Sequence, residues 1–243
     1  IEKMFSVIDS NKINTSDYEY RGKLYSKIKK DSIAIVNFSI ALVKDSTHIN
    51  NYGDIAKSLE NLKNNTLAAE YYQKLIDRKE KPLSSDYFFM GRDYYISASK
   101  PADSLLKSNA EKYLADSIQK THYLIKADTA FGSVISLSPN SHLGYLWKAR
   151  VQAMYDPETV QGLALPLYTK VLSIIELKPD KFKKEIIESY NYIGYYYYLH
   201  FEKFQKSNNK EKSVEMKTES LKCWQKIIDI DPEDNTAKSA IKN

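Results

Sequence analysis

The feature that most constrains this chain is a small residue set between large ones, recurring at fixed intervals. In DYEYRGKLY, Gly22 follows Tyr18 by four positions and precedes Tyr25 by three. Twelve residues after Gly22 comes Ala34, with Phe38 four further on and Ala41 three beyond that. The block NYGDIAKSL repeats the first half with Tyr52, Ala56 and Leu59, Ala56 standing 34 residues after Gly22. Ala68, Tyr72 and Leu75 then repeat the second half at the same offsets. A small residue lets two helices approach where they cross, and large residues three or four positions away fill the flanking volume. Glycine inside a helix costs about 1 kcal/mol against alanine. Gly22, Gly91 and Gly194 therefore mark places where a neighbouring helix comes close.

Later blocks keep both halves and lengthen the link between them. Tyr87, Met90, Gly91 and Tyr94 pair with Ala127, Phe131, Val134 and Pro139 across 24 inserted residues. Tyr145 and Ala149 pair with Ala164, Tyr168 and Val171 with three inserted, and Tyr190, Ile193, Gly194 and Tyr197 pair with Ser220, Trp224, Ile227 and Pro232 with 14 inserted. Seven glycines and seven prolines in 243 residues leave few turns, which suits long helices and not an all-β fold. PNS at 139–141 and DPED at 231–234 carry helix stop and start signals.

These motifs resemble the tetratricopeptide-repeat family, whose repeat of about 34 residues is a pair of antiparallel helices. The first helix has large–small–large spacing and the second small–aromatic–small. The resemblance covers most of the chain as five pairs and implies an all-α, right-handed superhelical solenoid. It implies one domain over 1–243: a half-repeat over 1–14 near Phe5 and Ile8, repeats over 15–48, 49–82, 84–141, 142–181 and 182–234, and a closing helix over 234–243. Lys148 departs from the pattern at a usually apolar position, and the closing proline follows only the third and fifth pairs. The insertion at 100–126 reads as a long helix with Asp103 or Ser104 as its cap, and KSNNKEKSVEMK at 206–217 as a solvated turn and helix extension.

Composition removes several functions. With 42% hydrophobic and 28% charged residues the chain folds around a core, and no apolar run approaches the roughly 20 residues that cross a bilayer, so no membrane insertion is expected. The start, IEKMFSVIDS, has neither an initiator Met nor a signal-peptide core and reads as a fragment or a mature form. Cys223, the one cysteine, sits among apolar helix residues and reads as a small buried side chain. A net charge of +5 does not demand nucleic acid. His48, His122, His142 and His200 lack carboxylates or cysteines at ligand spacing, and no phosphate loop or nucleophile elbow is present. No enzyme activity, catalytic residue, cofactor or metal is expected.

In the family that the motifs resemble, the first helix of each pair lines a concave groove where extended peptides or partner helices bind. The residue after each small position is Lys23, Lys57, Arg92, Arg150 and then Tyr195. Phe88, Phe89, Tyr95, Trp147, Tyr192 and Tyr198 fall on neighbouring groove positions. The expected function is a non-catalytic protein-interaction scaffold that binds a peptide or partner segment, acidic or aromatic-rich. The alternative is a glycan-binding repeat protein that stacks Trp147 and the Tyr192–Tyr198 cluster on sugar rings. RNA binding ranks last because only one cationic column exists, and self-association through the solenoid ends is a further option. Relatives that hold chaperone tails use a Lys and Asn clamp, which Glu19, Lys23 and Asp54 do not match. In SYNYIGYYYYLHF, Tyr190, Ile193 and Tyr197 belong to the crossing at Gly194, leaving Tyr192, Tyr195, Tyr196 and Tyr198 beyond what the core needs.

Overall fold

The computed structural model describes residues 13–100 and 110–242. The half-repeat near Phe5 and Ile8 and the cap at Asp103 or Ser104 lie outside the described residues. Among the described residues the chain is helical, without a strand. The helices are α1 (Thr15–Lys27), α2 (Asp31–Lys44), α3 (Asn50–Asn61), α4 (Asn65–Arg78), α5 (Ser84–Ser99) and α6 (Ala110–Leu137). They continue with α7 (His142–Tyr155), α8 (Leu165–Ile175), α9 (Pro179–Lys206), α10 (Lys210–Ile230) and α11 (Asn235–Lys242). The chain divides into two compact units, residues 1–134 and 135–243.

In the first unit each helix from α1 to α5 packs on the next, and α5 meets α6 at Gly91. In the second unit α7 packs on α8, α8 on α9, α9 on α10 and α10 on α11. Three glycines, Gly22, Gly91 and Gly194, stand where neighbouring helices come close. A Cβ on Gly22 would lie 2.6 Å from the Phe38 ring, and Phe38 is 1% exposed, so the ring has nowhere to yield. At Gly91 the neighbours are Ala130 and Phe131, both at 3.0 Å, and at Gly194 they are Cys223 and Trp224, both at 3.1 Å. The small residue of the first helix thus receives the aromatic residue of the second, and the rings of Phe38, Phe131 and Trp224 fill equivalent places. Around them Tyr25, Ile55 and Leu59 form the core of the early hairpins. Tyr168, Ile186, Tyr190, Ile193 and Ile227 form that of the later ones. Cys223 is buried in this second core, which pushes its thiol up to about 11.

Helix ends follow local chemistry. The Asn14 side chain accepts the Asp17 N–H at 3.0 Å and the Asp17 carboxylate accepts the Asn14 N–H at 2.9 Å, a reciprocal cap on α1. In PNS, Ser141 accepts the Leu143 N–H at 3.4 Å, and in DPED, Asp234 accepts the Ala237 N–H at 2.8 Å. Residues 206–217 form the end of α9, a turn through Asn208 and the start of α10, where Asn209 accepts the Lys212 N–H at 3.2 Å.

The turns from α1 to α2 and from α3 to α4 place Lys29 and Lys63 at φ +59 and +62. The two lysines are 34 residues apart, at the same point of successive repeats. A side chain is strained in this left-handed region and glycine is not. Lys29→Gly and Lys63→Gly are each expected to stabilise the first unit by about 0.5 kcal/mol, after the entropy that glycine adds to the unfolded chain. A thermal melt checks this, and a lowered midpoint would contradict it.

Candidate functional site

The first unit holds Lys23, Lys57, Phe88, Phe89, Arg92 and Tyr95. Lys23 on α1 and Lys57 on α3 are exposed. They act on Asp54, whose carboxyl burial pushes up; Lys23 opposes that shift, Glu19 adds to it and Lys57 opposes it. Glu19 is held by His48 Nδ1 at 3.0 Å and by the Asn51 amide at 2.7 Å. Glu19, Lys23, His48 and Asp54 line an open cleft of about 340 Å³.

Arg92 on α5 is already engaged. Its Nη2 lies 2.7 Å from Glu60 Oε1 on α3 and 3.7 Å from Asp93 Oδ1, and its guanidinium sits 5.0 Å over the Phe89 ring. Asp93 is fully buried and accepts the Asn65 amide at 2.9 Å. Burial pushes the Asp93 carboxyl up to about 7, against the Asn65 hydrogen bond and with Glu60 reinforcing the rise. Burial pushes the Tyr72 hydroxyl up, and the charge of nearby Glu60 adds to the rise. Phe89 stacks on Tyr72 at 5.6 Å and meets Phe88 edge-on at 5.7 Å, while Phe88 leans on Phe131 at 6.2 Å. Both phenylalanines, like Tyr95, are half-buried; for Phe88 and Phe89, packing accounts for much of the aromatic character that the sequence assigns to this face.

The second unit holds Trp147, Arg150, Tyr192, Tyr195 and Tyr198. Arg150 on α7 lies 4.6 Å over the Trp147 ring and forks onto Glu188 of α9, Nε to Oε1 at 2.7 Å and Nη2 to Oε2 at 2.6 Å. The Tyr168 hydroxyl donates to the same Oε1 at 3.0 Å. Such a planar fork is the strongest geometry for a guanidinium and a carboxylate. Beside it, Lys183, Lys184, Ile187, Glu188 and Asn191 line an open cleft of about 690 Å³ closed by Asp231 and Asp234.

The four tyrosines beyond the needs of the crossing divide into two kinds. Tyr192 packs 4.9 Å from Tyr168, and its hydroxyl, raised by burial, accepts the Ala164 N–H at 3.3 Å. Tyr196 packs against Gly162, where φ is +67, and lies 4.2 Å from the His200 ring. The loop that meets both is held by Asp156, whose buried carboxylate accepts the N–H groups of Gln161 at 2.9 Å and Gly162 at 2.8 Å. Tyr195 and Tyr198 stay in water, 42% and 38% exposed. Tyr198 donates to Glu202 at 2.8 Å, which raises its own pKa.

Sequence reasoning missed Glu60, Asp93 and Glu188. Glu60 lies 32 residues before Arg92, and Glu188 38 residues after Arg150. An acid about one repeat away from a cation on an equivalent helix is the signal that would have found both pairs. Among the described residues no group of three or more His, Cys, Asp or Glu is placed to hold a metal ion, and no helix is long and apolar enough to cross a membrane.

No family model matches the sequence, and no curated protein matches it. Solved structures do. The C-terminal part of a TPR repeat-containing protein from Cytophaga hutchinsonii is 30% identical, with a TM-score of 0.73, over 100% of this chain and 79% of that one. YrrB, described as a TPR protein with an unusual peptide-binding site, is 16% identical with a TM-score of 0.58, over 98% of this chain and 97% of its own. MamA is 16% identical with a TM-score of 0.55, over 89% of this chain and 95% of its own. The last two share the fold alone. The Cytophaga protein shares sequence along the whole length as well, and with the glycine crossings it settles the family: the chain belongs to the tetratricopeptide-repeat proteins.

Proposed function

We propose that the chain is a non-catalytic scaffold for protein–protein interaction, holding an extended peptide or partner segment on the exposed faces of the first helices of its pairs. The observation that carries this reading is the exposure of Tyr195 and Tyr198. They stand three residues apart on one face of α9, while Tyr192 and Tyr196 of the same stretch are packed. Exposed tyrosines are typical of binding hot spots, and the helix that carries them also holds the Arg150–Trp147 pair through Glu188. YrrB, which shares the fold and is described by its peptide-binding site, supports the same direction. In the first unit the corresponding set is Lys23, Lys57, Phe88, Phe89, Arg92 and Tyr95. Lys23 and Lys57 are the exposed cations that favour an acidic partner there.

A library of extended peptides tests the proposal, with a glycan array beside it. Tyr195→Ala combined with Tyr198→Ala is expected to weaken the selected peptides at least tenfold, about 1.4 kcal/mol, with the helical circular dichroism unchanged. Undiminished peptide capture by that variant would remove α9 from the site. Selection of sugars instead, with affinity indifferent to ionic strength, would replace the peptide reading by stacking on carbohydrate.

A further inference from the structure

Arg92 faces two carboxyl groups and not one. Glu60 arrives from α3 and Asp93 from α5 itself, 2.7 and 3.7 Å from the same nitrogen. Asp93 is 0% exposed. Its Oδ1 takes the Asn65 amide, and its Oδ2 has no conventional donor in reach. The other carboxyl on that nitrogen is Glu60, whose Oε1 is likewise buried without a hydrogen-bond partner of good geometry. Two carboxylates have no hydrogen to share, so only a proton on one of them lets the pair hydrogen-bond to each other. Without the proton, one guanidinium would face two negative charges, one of them on a carboxyl that water does not reach, an arrangement buried groups avoid by protonating.

We propose that Glu60 and Asp93 hold one proton between them, and that its loss turns the Arg92 patch of the first unit from neutral to singly negative. The surrounding groups leave the balance to this trio. From α4 come Asn65 and Tyr72, both neutral, the latter close enough to Glu60 to feel its charge. From α6, Lys126 is engaged with Tyr94, 3.3 Å from its hydroxyl and 4.9 Å over its ring. Burial, which pushes Asp93 up to about 7, agrees with the geometry. The pair titrates as a unit, so the proton belongs to both carboxyls.

The sign follows from linkage. An unfolded aspartate titrates near pH ~3.9, so above that value the folded chain carries a proton that the unfolded chain has lost. The stability it contributes is present at acidic pH and is lost as pH rises through about 7. The same proton governs the face that Arg92 shares with Phe89: above neutrality it carries one more negative charge and turns away anionic segments. This holds whether or not that face binds a peptide.

The experiment uses the whole chain. Infrared difference spectra between pH ~6 and pH ~8.5 are expected to show a protonated-carboxyl stretch that disappears at the higher pH and is missing in Asp93→Asn. Thermal melts over the same range are expected to show the wild-type midpoint falling by on the order of 5 °C. In Asp93→Asn, whose amide mimics the protonated acid, that fall disappears. If Asp93→Asn does not fold, Glu60→Gln serves, since it leaves Arg92 with one carboxylate and should flatten the same profile. Wild-type spectra without the band at acidic pH, or variant melts that parallel the wild type, would overturn the proposal.

Discussion

Gly194→Leu is expected to lower the melting midpoint of the second unit by roughly 10 °C, at 2–4 °C per kcal/mol for a chain of this size. The first added carbon would lie 3.1 Å from both Cys223 and Trp224, and three more follow it into a crossing with no free volume. Overpacking alone costs about 1–3 kcal/mol. The crossing also carries a chain of buried hydrogen bonds. Ser220 donates to the Gly194 carbonyl at 2.9 Å, and the Trp224 indole donates to Ser220 at 3.0 Å. Pushing the helices apart breaks that chain and strands its donors, which adds about 1–3 kcal/mol. The readout is convenient because both tryptophans, Trp147 and Trp224, lie in the second unit, so tryptophan emission reports this unit alone. Gly194→Ala should be nearly neutral, the gain in helix propensity offsetting a tight methyl. A leucine variant that melts like the wild type would mean that α9 and α10 do not cross here.

Asp156→Ala is expected to cost about 3 kcal/mol by a different route. The Asp156 carboxylate is 4% exposed and accepts two backbone N–H groups from the loop that follows it. Hydrogen bonds to a charged acceptor are worth about 1.5–3 kcal/mol each, and removal leaves both donors unpaired. The same loop places Ala164 on the Tyr192 hydroxyl and Gly162 against Tyr196. Amide exchange over residues 157–164 should therefore rise along with the drop in midpoint. Asp156→Asn, which keeps an oxygen for the two N–H groups, should lose about half as much. Wild-type exchange rates across that loop in the alanine variant would show that Asp156 does not organise it.

The helix pairs were legible in the sequence because their determinants are local. A glycine in mid-helix needs a reason, and a large residue three or four positions away supplies the volume around it; Gly22, Gly91 and Gly194 all lie at such contacts. The stop and start signals at PNS and DPED act over three or four residues and were readable for the same reason. The site was legible only as a set of columns. Whether Arg92 and Arg150 stand alone depends on the register of helices a full repeat away, and that distance changes with each insertion, 32 residues to Glu60 and 38 to Glu188. Tyr192 and Tyr196 counted as unneeded because their partners lie in an irregular loop whose path is set by one buried carboxylate, a long-range fact that no periodicity carries.

The Arg150–Glu188 fork means that the cation on α7 comes with its own rival attached. A carboxylate arriving from outside cannot simply add itself to Arg150; it must evict Glu188 and leave that side chain to find water. A tethered competitor acts at an effective concentration on the order of millimolar, so a lone acidic residue gains little by the exchange. Only a visitor that also occupies the neighbouring rings can hold the displaced state. Under the proposed function, the fork is expected to filter out stray anions, set by a residue of the chain itself.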